Sequence, residues 1–216
     1  MGNDVYVSHV VLLGDSIFDN AAYLAAGTLD VVRQVRQQFP YESKATLAAI
    51  DGSKMRDVRK QLRSLPTDAT HLVLSVGGND ALGSSDFLTA PSRSTAETLL
   101  GLADIGDEFE RTYFAMLTEV LAQGLPTAVC SVYYPRFPEA TLQRMAVTAL
   151  TVFNDCIIRA AFAHSLPLLD LRLICTEEGD YANSIEPSAR GGEKIARAIV
   201  EAVEHGFSGG RTEVFI

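Results

Sequence analysis

Four consecutive apolar residues, Val10-Val11-Leu12-Leu13, stop at a glycine, and an acid and a hydroxyl follow at once in Gly14-Asp15-Ser16. A short apolar run bounded by turn chemistry reads as a strand buried on both faces, as in a parallel sheet covered by helices above and below. A helical pattern then opens at Asp19 or Asn20. The step from strand to glycine to helix start puts Ser16 at the strand's carboxyl end. Helix N-termini favour anionic groups there, and open parallel sheets hold their ligands along that edge. Taken alone, the stretch is equally compatible with a plain turn in which Ser16 takes no part.

The remaining chain repeats the strand–helix alternation. Tyr23, Leu24, Leu29, Val31, Val32, Val35 and Phe39 follow a roughly helical spacing that Pro40 closes. Ala45 to Ile50 is a second strand, ended by Asp51-Gly52, and Ser53 is placed to cap a helix through Met55, Val58 and Leu62. His71 to Val76 is a third strand, ended by Gly77-Gly78-Asn79-Asp80. Residues 81–101 are small, polar and irregular, and read as a long loop with room for one short helix. Long loops at a site edge often act as lids. Helical periodicity resumes near Ile105 and runs to Gly124; Pro126 to Val132 is a fourth strand. A long helix covers about 139–164, Leu166 to Leu171 is a fifth strand, and a last helix starts near Ser188. The tail from about Gly206 is glycine-rich and ends Val214-Phe215-Ile216; it is expected either to be mobile or to dock on a neighbouring subunit of a homo-oligomer. Strands alternating with helices mean βαβ units, hence an α/β fold: a three-layer sandwich of about five parallel strands.

Length and composition bound the rest. A chain of 216 residues suits one large α/β domain covering 1–216. With 47% hydrophobic residues it can fill a core, and a net charge of −9 with no basic stripe argues against nucleic acid and against an anionic membrane surface. Cys130, Cys156 and Cys175 are an odd set at scattered spacing. They form neither a disulfide framework nor a zinc pattern, and fit free thiols in a reducing, cytoplasmic setting. The apolar stretch near the start is too short for a signal peptide and lacks a basic flank, and no run is read as transmembrane. No His/Asp/Glu cluster has metal-ligand spacing, so neither metal nor cofactor is expected.

Three polar features converge at the carboxyl ends of three strands: Ser16 after the first, Gly52 after the second and Asn79 after the third. A hydroxyl nucleophile needs donors aimed at the oxyanion it creates. The N–H groups of Ser16 and Gly52 and the Asn79 amide are of the right kind, and glycine at 52 permits close backbone approach. Each has an ordinary reading as a turn residue; their order along one edge favours the chemical one. Asp15 and Asp80 are expected to accept backbone N–H groups and hold their turns. Tyr133 and Tyr134 are expected near the pocket, and Lys54 and Arg56 are exposed cations with the option of reaching the site.

Gly14-Asp15-Ser16, Gly52 and Gly77-Gly78-Asn79-Asp80 resemble the first three blocks of the SGNH (GDSL-type) hydrolases. The segment Val129 to Pro135 and the closing Ile185-Glu186-Pro187-Ser188, with Gly191 or Gly192 and Lys194-Ile195-Ala196 beyond, extend the resemblance over essentially the whole chain. The resemblance implies a flavodoxin-like αβα sandwich with strand order 2-1-3-4-5. It also implies a serine nucleophile, an oxyanion hole from the three residues named, and hydrolysis of esters.

The fourth block departs from that family. Its usual Asp-x-x-His before proline reads Asn183-Ser184-Ile185-Glu186-Pro187 here. None of the four histidines is placed to stand in within the chain: His9 and His71 open strands, His164 ends a helix before a strand, and His205 follows the last helix, all at the opposite edge, which leaves only delivery in trans by a partner subunit. Either the site is decayed and only binds, or Glu186 is the base. The reference pKa values of Glu and His, about 4.3 and 6.5, put the deficit near 3 kcal/mol, which burial recovers in part. The paired change favours the second reading, since a histidine base needs an acceptor behind it and a glutamate base does not; Asn183 is expected to donate to Glu186. The resulting expectation is a serine esterase acting on small aryl or short acyl esters, because no long apolar lid is evident in 81–101. An O-deacetylase, a thioesterase or a non-catalytic binding module are the alternatives.

Overall fold

The computed structural model describes residues 7–39, 42–207 and 211–216. Its centre is one fully parallel sheet of six strands: β1 (His9–Gly14), β2 (Lys44–Leu47), β3 (His71–Ser75), β4 (Thr127–Cys130), β5 (Leu168–Leu169) and β6 (Val214–Phe215), in the order β2-β1-β3-β4-β5-β6. Successive side chains of a strand point to opposite faces, and β1 uses both. Val10 and Leu12 join one core and Val11 and Leu13 the other, all fully buried. Each such side chain is worth about 1.5–3 kcal/mol of hydrophobic stabilisation.

Among the described residues, seven α-helices cover the sheet: α1 (Val31–Gln38), α2 (Val58–Leu62), α3 (Gly78–Leu82), α4 (Thr95–Leu121), α5 (Ala140–Ala163), α6 (Leu171–Ile174) and α7 (Ala189–His205). α1 and α7 close the Val10 side, while α2, α4 and α5 close the Val11 side. The three-layer α/β sandwich is as read from the alternation, with one strand more than expected. That strand is the tail. Val214 and Phe215 pair with Leu168 and Leu169 of the same chain rather than staying mobile or reaching a neighbour. An unpaired β5 would leave a bare edge; instead, the N–H groups of Leu168 and Asp170 donate to Glu213 and Phe215 at 2.8 and 3.0 Å.

Three further expectations need correction. No regular helix opens at Asp19 or Asn20; a 3-10 turn at Ala21–Tyr23 precedes α1, which Asp30 caps through the Arg33 N–H. Pro40, expected to close that helix, lies outside the described residues. Residues 81–101 are structured: α3 ends at Leu82, a 3-10 segment spans Ser85–Thr89, and α4 begins at Thr95 with Ser94 as its cap. Finally, α5 is long and apolar enough, by length and composition, to cross a membrane, although no such run was read from the sequence. In this fold its Leu150, Phe153, Ile157 and Ala160 are built into the core.

Candidate active site

The carboxyl edge of the sheet is built from its first turn. Gly14 ends β1 at φ +127, where a Cβ would lie 1.7 Å from the Ser75 carbonyl oxygen, so only glycine fits. Both of its backbone groups are clamped by one side chain. Gln61 of α2 accepts from the Gly14 N–H and donates to its carbonyl, each at 2.8 Å. The Asp15 N–H donates to Ser75 at 3.1 Å, the Asp15 carbonyl accepts from Phe18 and Asp19, and its carboxylate accepts from the Ile17 N–H at 3.2 Å. Asp15 therefore holds the turn, as expected of it, and Ser16 sits at its apex, 7% exposed.

Neighbouring turns are tied to this one. The Asp19 carboxylate accepts from the Asp51 N–H at 2.9 Å, which binds the Asp51-Gly52 turn to the Ser16 turn. Gly52 itself has φ +74 and stands at the exposed rim rather than in the cavity wall. The Asn79 amide donates to the Ser53 carbonyl at 3.0 Å. An amide nitrogen carries two N–H groups, and Asn79 also lines the cavity. Asp80 accepts from the Met55 N–H at 3.1 Å, holding the 3-10 turn Met55–Asp57 against α3. Ser53, expected to cap that helix, is not its cap; Lys54 is.

The loop before α7 delivers Glu186. The Asn183 side-chain oxygen accepts from the N–H groups of Ile185 and Glu186, both at 2.9 Å. Asn183 was expected to donate to the Glu186 carboxylate; its oxygen accepts instead and fixes the turn. Below it, Asp180 is fully buried, its carboxylate accepts from Lys194 at 2.7 Å, and its carbonyl accepts from the Ser188 N–H. A Cβ on Gly191 would come within 2.1 Å of the Asp180 carbonyl oxygen, which is why α7 needs glycine there. Asn20 joins the two halves. Fully buried, it accepts from the Val31 N–H and donates to the Pro187 carbonyl, each at 3.1 Å. Neither Asn20 nor Gln61 stands out in the sequence as a site residue; a buried amide beside a catalytic-type turn is the signal that finds them.

Ser16, Asn79, Asp15 and Glu186 all line one cavity of about 490 Å³. Glu186 is 5% exposed, and its Oε2 has no hydrogen-bond partner among the described residues. Burial pushes its carboxyl from 4.5 to about 7; hydrogen bonding to the Ser16 hydroxyl opposes this, and the Asp51 charge adds to it. Asp15 is pushed up further, to about 8, by burial first and then by the charges of Glu186, Asp80 and Asp51, against the Ile17 N–H bond. A hydroxyl and a carboxyl group that changes charge near neutrality, both lining one cavity, are suited to proton transfer from that hydroxyl.

Other candidates are placed away from this chemistry. The Arg56 side chain is 80% exposed, with Asp57 at 4.0 Å. Tyr133 lines the cavity, but Tyr134 does not; its carbonyl accepts from Tyr181. Cys175 is buried, and that burial pushes its thiol up to about 12. None of the histidines lines the cavity; His9 bonds Asp68 and Thr46, and His205 pairs with Glu213. The expectation of no apolar lid also fails: Leu82, Phe87 and Leu88, all within 81–101, line the cavity.

The solved structures similar to this chain share its fold. An extracellular lipase from Streptomyces rimosus aligns at 19% identity and TM-score 0.62, covering 92% of this chain and 99% of that one. A lipase, Lip_vut3, from a goat rumen metagenome aligns at 16% identity and TM-score 0.68, covering 94% and 99%. A lipase/acylhydrolase from Enterococcus faecalis aligns at 20% identity and TM-score 0.62, covering 92% and 96%. No curated protein matches the sequence. The model of the GDSL-like lipase/acylhydrolase family matches residues 12–194, from the middle of β1 into α7. By that match the chain belongs to the GDSL-like lipase/acylhydrolase family and is a carboxylic ester hydrolase.

Proposed function

We propose that this ester hydrolase works through an acyl-enzyme on Ser16 with Glu186 as general base. The observation that carries the reading is that Ser16 and Glu186, both buried, line the same cavity, with burial raising the Glu186 carboxyl to about 7. Ionised, Glu186 takes the Ser16 proton as Oγ attacks the ester carbonyl. The oxyanion is held by the Ser16 N–H and the Asn79 side-chain amide, whose residues both line the cavity; Gly52, at the exposed rim, takes no part in the hole. Glu186 then returns the proton to the leaving alkoxide, and water releases the acid with Glu186 again as base. Burial recovers most of the difference between carboxylate and imidazole: at about 7, the acid sits at the value a histidine base ordinarily has.

Ser16→Ala should abolish turnover and labelling by a fluorophosphonate. Glu186→Gln should lower kcat/KM by about 10²-fold or more, the usual range for a general base. The wild-type kcat/KM should rise with pH through an apparent pKa near 7, because the ionised carboxylate is the active form. That limb should barely move with temperature, as carboxyl ionisation has little enthalpy and imidazole ionisation has much. A Glu186→Gln enzyme with full activity would remove the base assignment.

A further inference from the structure

The cavity is larger and more apolar than a small acyl group requires. Val76 and Val132, which follow β3 and β4, line it from the sheet. One wall is a stripe on α5, where Leu142, Ala146, Ala149, Leu150 and Phe153 recur at helical spacing and all face the cavity. From Leu142 to Phe153 that stripe runs about 16 Å at the rise of an α-helix. The opposite wall is Leu102 and Ile105 of α4, and the roof is Phe87 and Leu88. The roof is seated on α4: a Cβ on Gly101 would meet the Phe87 ring at 2.7 Å. The α5 wall is held to the sheet edge by Asn154, whose amide accepts from the Val132 N–H and donates to the Val132 carbonyl, both at 2.8 Å. An acetyl group on Ser16 would leave most of these surfaces uncovered.

We infer that the acyl group of the substrate is an extended aliphatic chain, seated in this slot, and that Ala146 and Ala149 set its length. The inference rests on Ser16 being the acylated residue. An extended chain advances about 1.2 Å per bond, as three peptide-backbone bonds do over about 3.6 Å. A slot as long as the α5 stripe therefore accepts a chain of up to about thirteen carbons. The two alanines lie midway along the stripe, where a larger side chain would close the slot.

The test compares kcat/KM for p-nitrophenyl acetate, butyrate, hexanoate and octanoate on wild type, Ala149→Phe and Ala146→Leu. Octanamide binding to Ser16→Ala, with and without Ala149→Phe, is followed calorimetrically; the neutral amide carries no charge to oppose Glu186. Each added methylene should raise kcat/KM about fourfold, the equivalent of about 0.8 kcal/mol per buried CH₂. Over the six methylenes between them, octanoate should then exceed acetate by about 4 × 10³-fold. Either alanine variant should cut the octanoate-to-acetate ratio at least tenfold, and Ala149→Phe should weaken octanamide binding to match. Highest activity on acetate, with a ratio indifferent to both variants, would overturn the slot and leave the Ser16 chemistry standing. Octanamide binding that Ala149→Phe weakens, in a protein that turns over no ester, would keep the slot and remove the catalytic reading. Neither turnover nor octanamide binding would overturn both.

Discussion

Replacing Glu186 by glutamine tests the electrostatic premise without using activity at all. The carboxyl is 5% exposed, and its pKa is raised from 4.5 to about 7. A group whose folded pKa exceeds its unfolded value leaves stability untouched below the unfolded value, erodes it between the two, and levels off above the folded one. For Glu186 the erosion runs from about pH 4.5 to about pH 7. At about 1.4 kcal/mol per pH unit, the full loss is on the order of 3 kcal/mol at pH 8. Glutamine keeps the shape and carries no charge, so Glu186→Gln should stabilise the fold by about 1–3 kcal/mol at pH 8 and by almost nothing at pH 4. Removing the Glu186 charge also relieves Asp15, whose own shift it enlarges, so the two effects add at high pH. Urea unfolding at both pH values, with unchanged m, measures this directly. A gain of equal size at both pH values, or a loss at pH 8, would show that the carboxylate is not held in a desolvated place.

Asp15→Asn should act in the same direction and more strongly. Its carboxyl is raised from 3.8 to about 8, so the variant gains on the order of 6 kcal/mol at pH 9 and little at pH 4, read by urea unfolding. Gly14→Ala should abolish folding or cost about 4 kcal/mol or more, because the new methyl would overlap the Ser75 carbonyl at 1.7 Å; yield of soluble protein and thermal unfolding read it. Gln61→Ala orphans the buried N–H and carbonyl of Gly14 and should cost about 2–4 kcal/mol. It should also lower kcat more than it raises KM, since it loosens the turn that carries Ser16.

The layers of this fold are legible because they rest on short-range patterns. Val10 to Leu13 must be buried on both faces, and Ile195, Ile199 and Val203 must face inward from one helix. The edge on which Ser16 and Asn79 meet follows from parallel strands alone, and Glu186 reaches it because α7 starts there. What escapes the sequence is the polar framework that spans it. The Asn20 contact to Pro187 joins residues 167 positions apart, and the Gln61 clamp on Gly14 joins residues 47 apart; no local pattern announces either. The role of Asn183 was misread for a related reason. Its side-chain oxygen meets two backbone N–H groups within three residues, and such Asx geometry competes with any bond to the carboxylate. Asn183 thus supplies the loop with what an aspartate oxygen would, without a charge beside Glu186.

The start of α4 was hidden by the feature that gives the cavity its character. A helix is read from a stripe that faces a filled core. Over its first turns α4 meets such a core only in part: Leu99 and Leu100 are 60% and 67% exposed, while Leu102 and Ile105 line the cavity. Apolar residues therefore occur on more than one side, and the periodicity only sharpens at Phe109, Tyr113, Met116 and Val120, where the helix packs on the sheet. Apolar side chains of a helix end that face an open cavity lose hydrophobic stabilisation in the absence of a guest and recover it when an apolar chain enters. The segment that looked like a polar loop is, on this account, the part of the fold whose core the substrate completes.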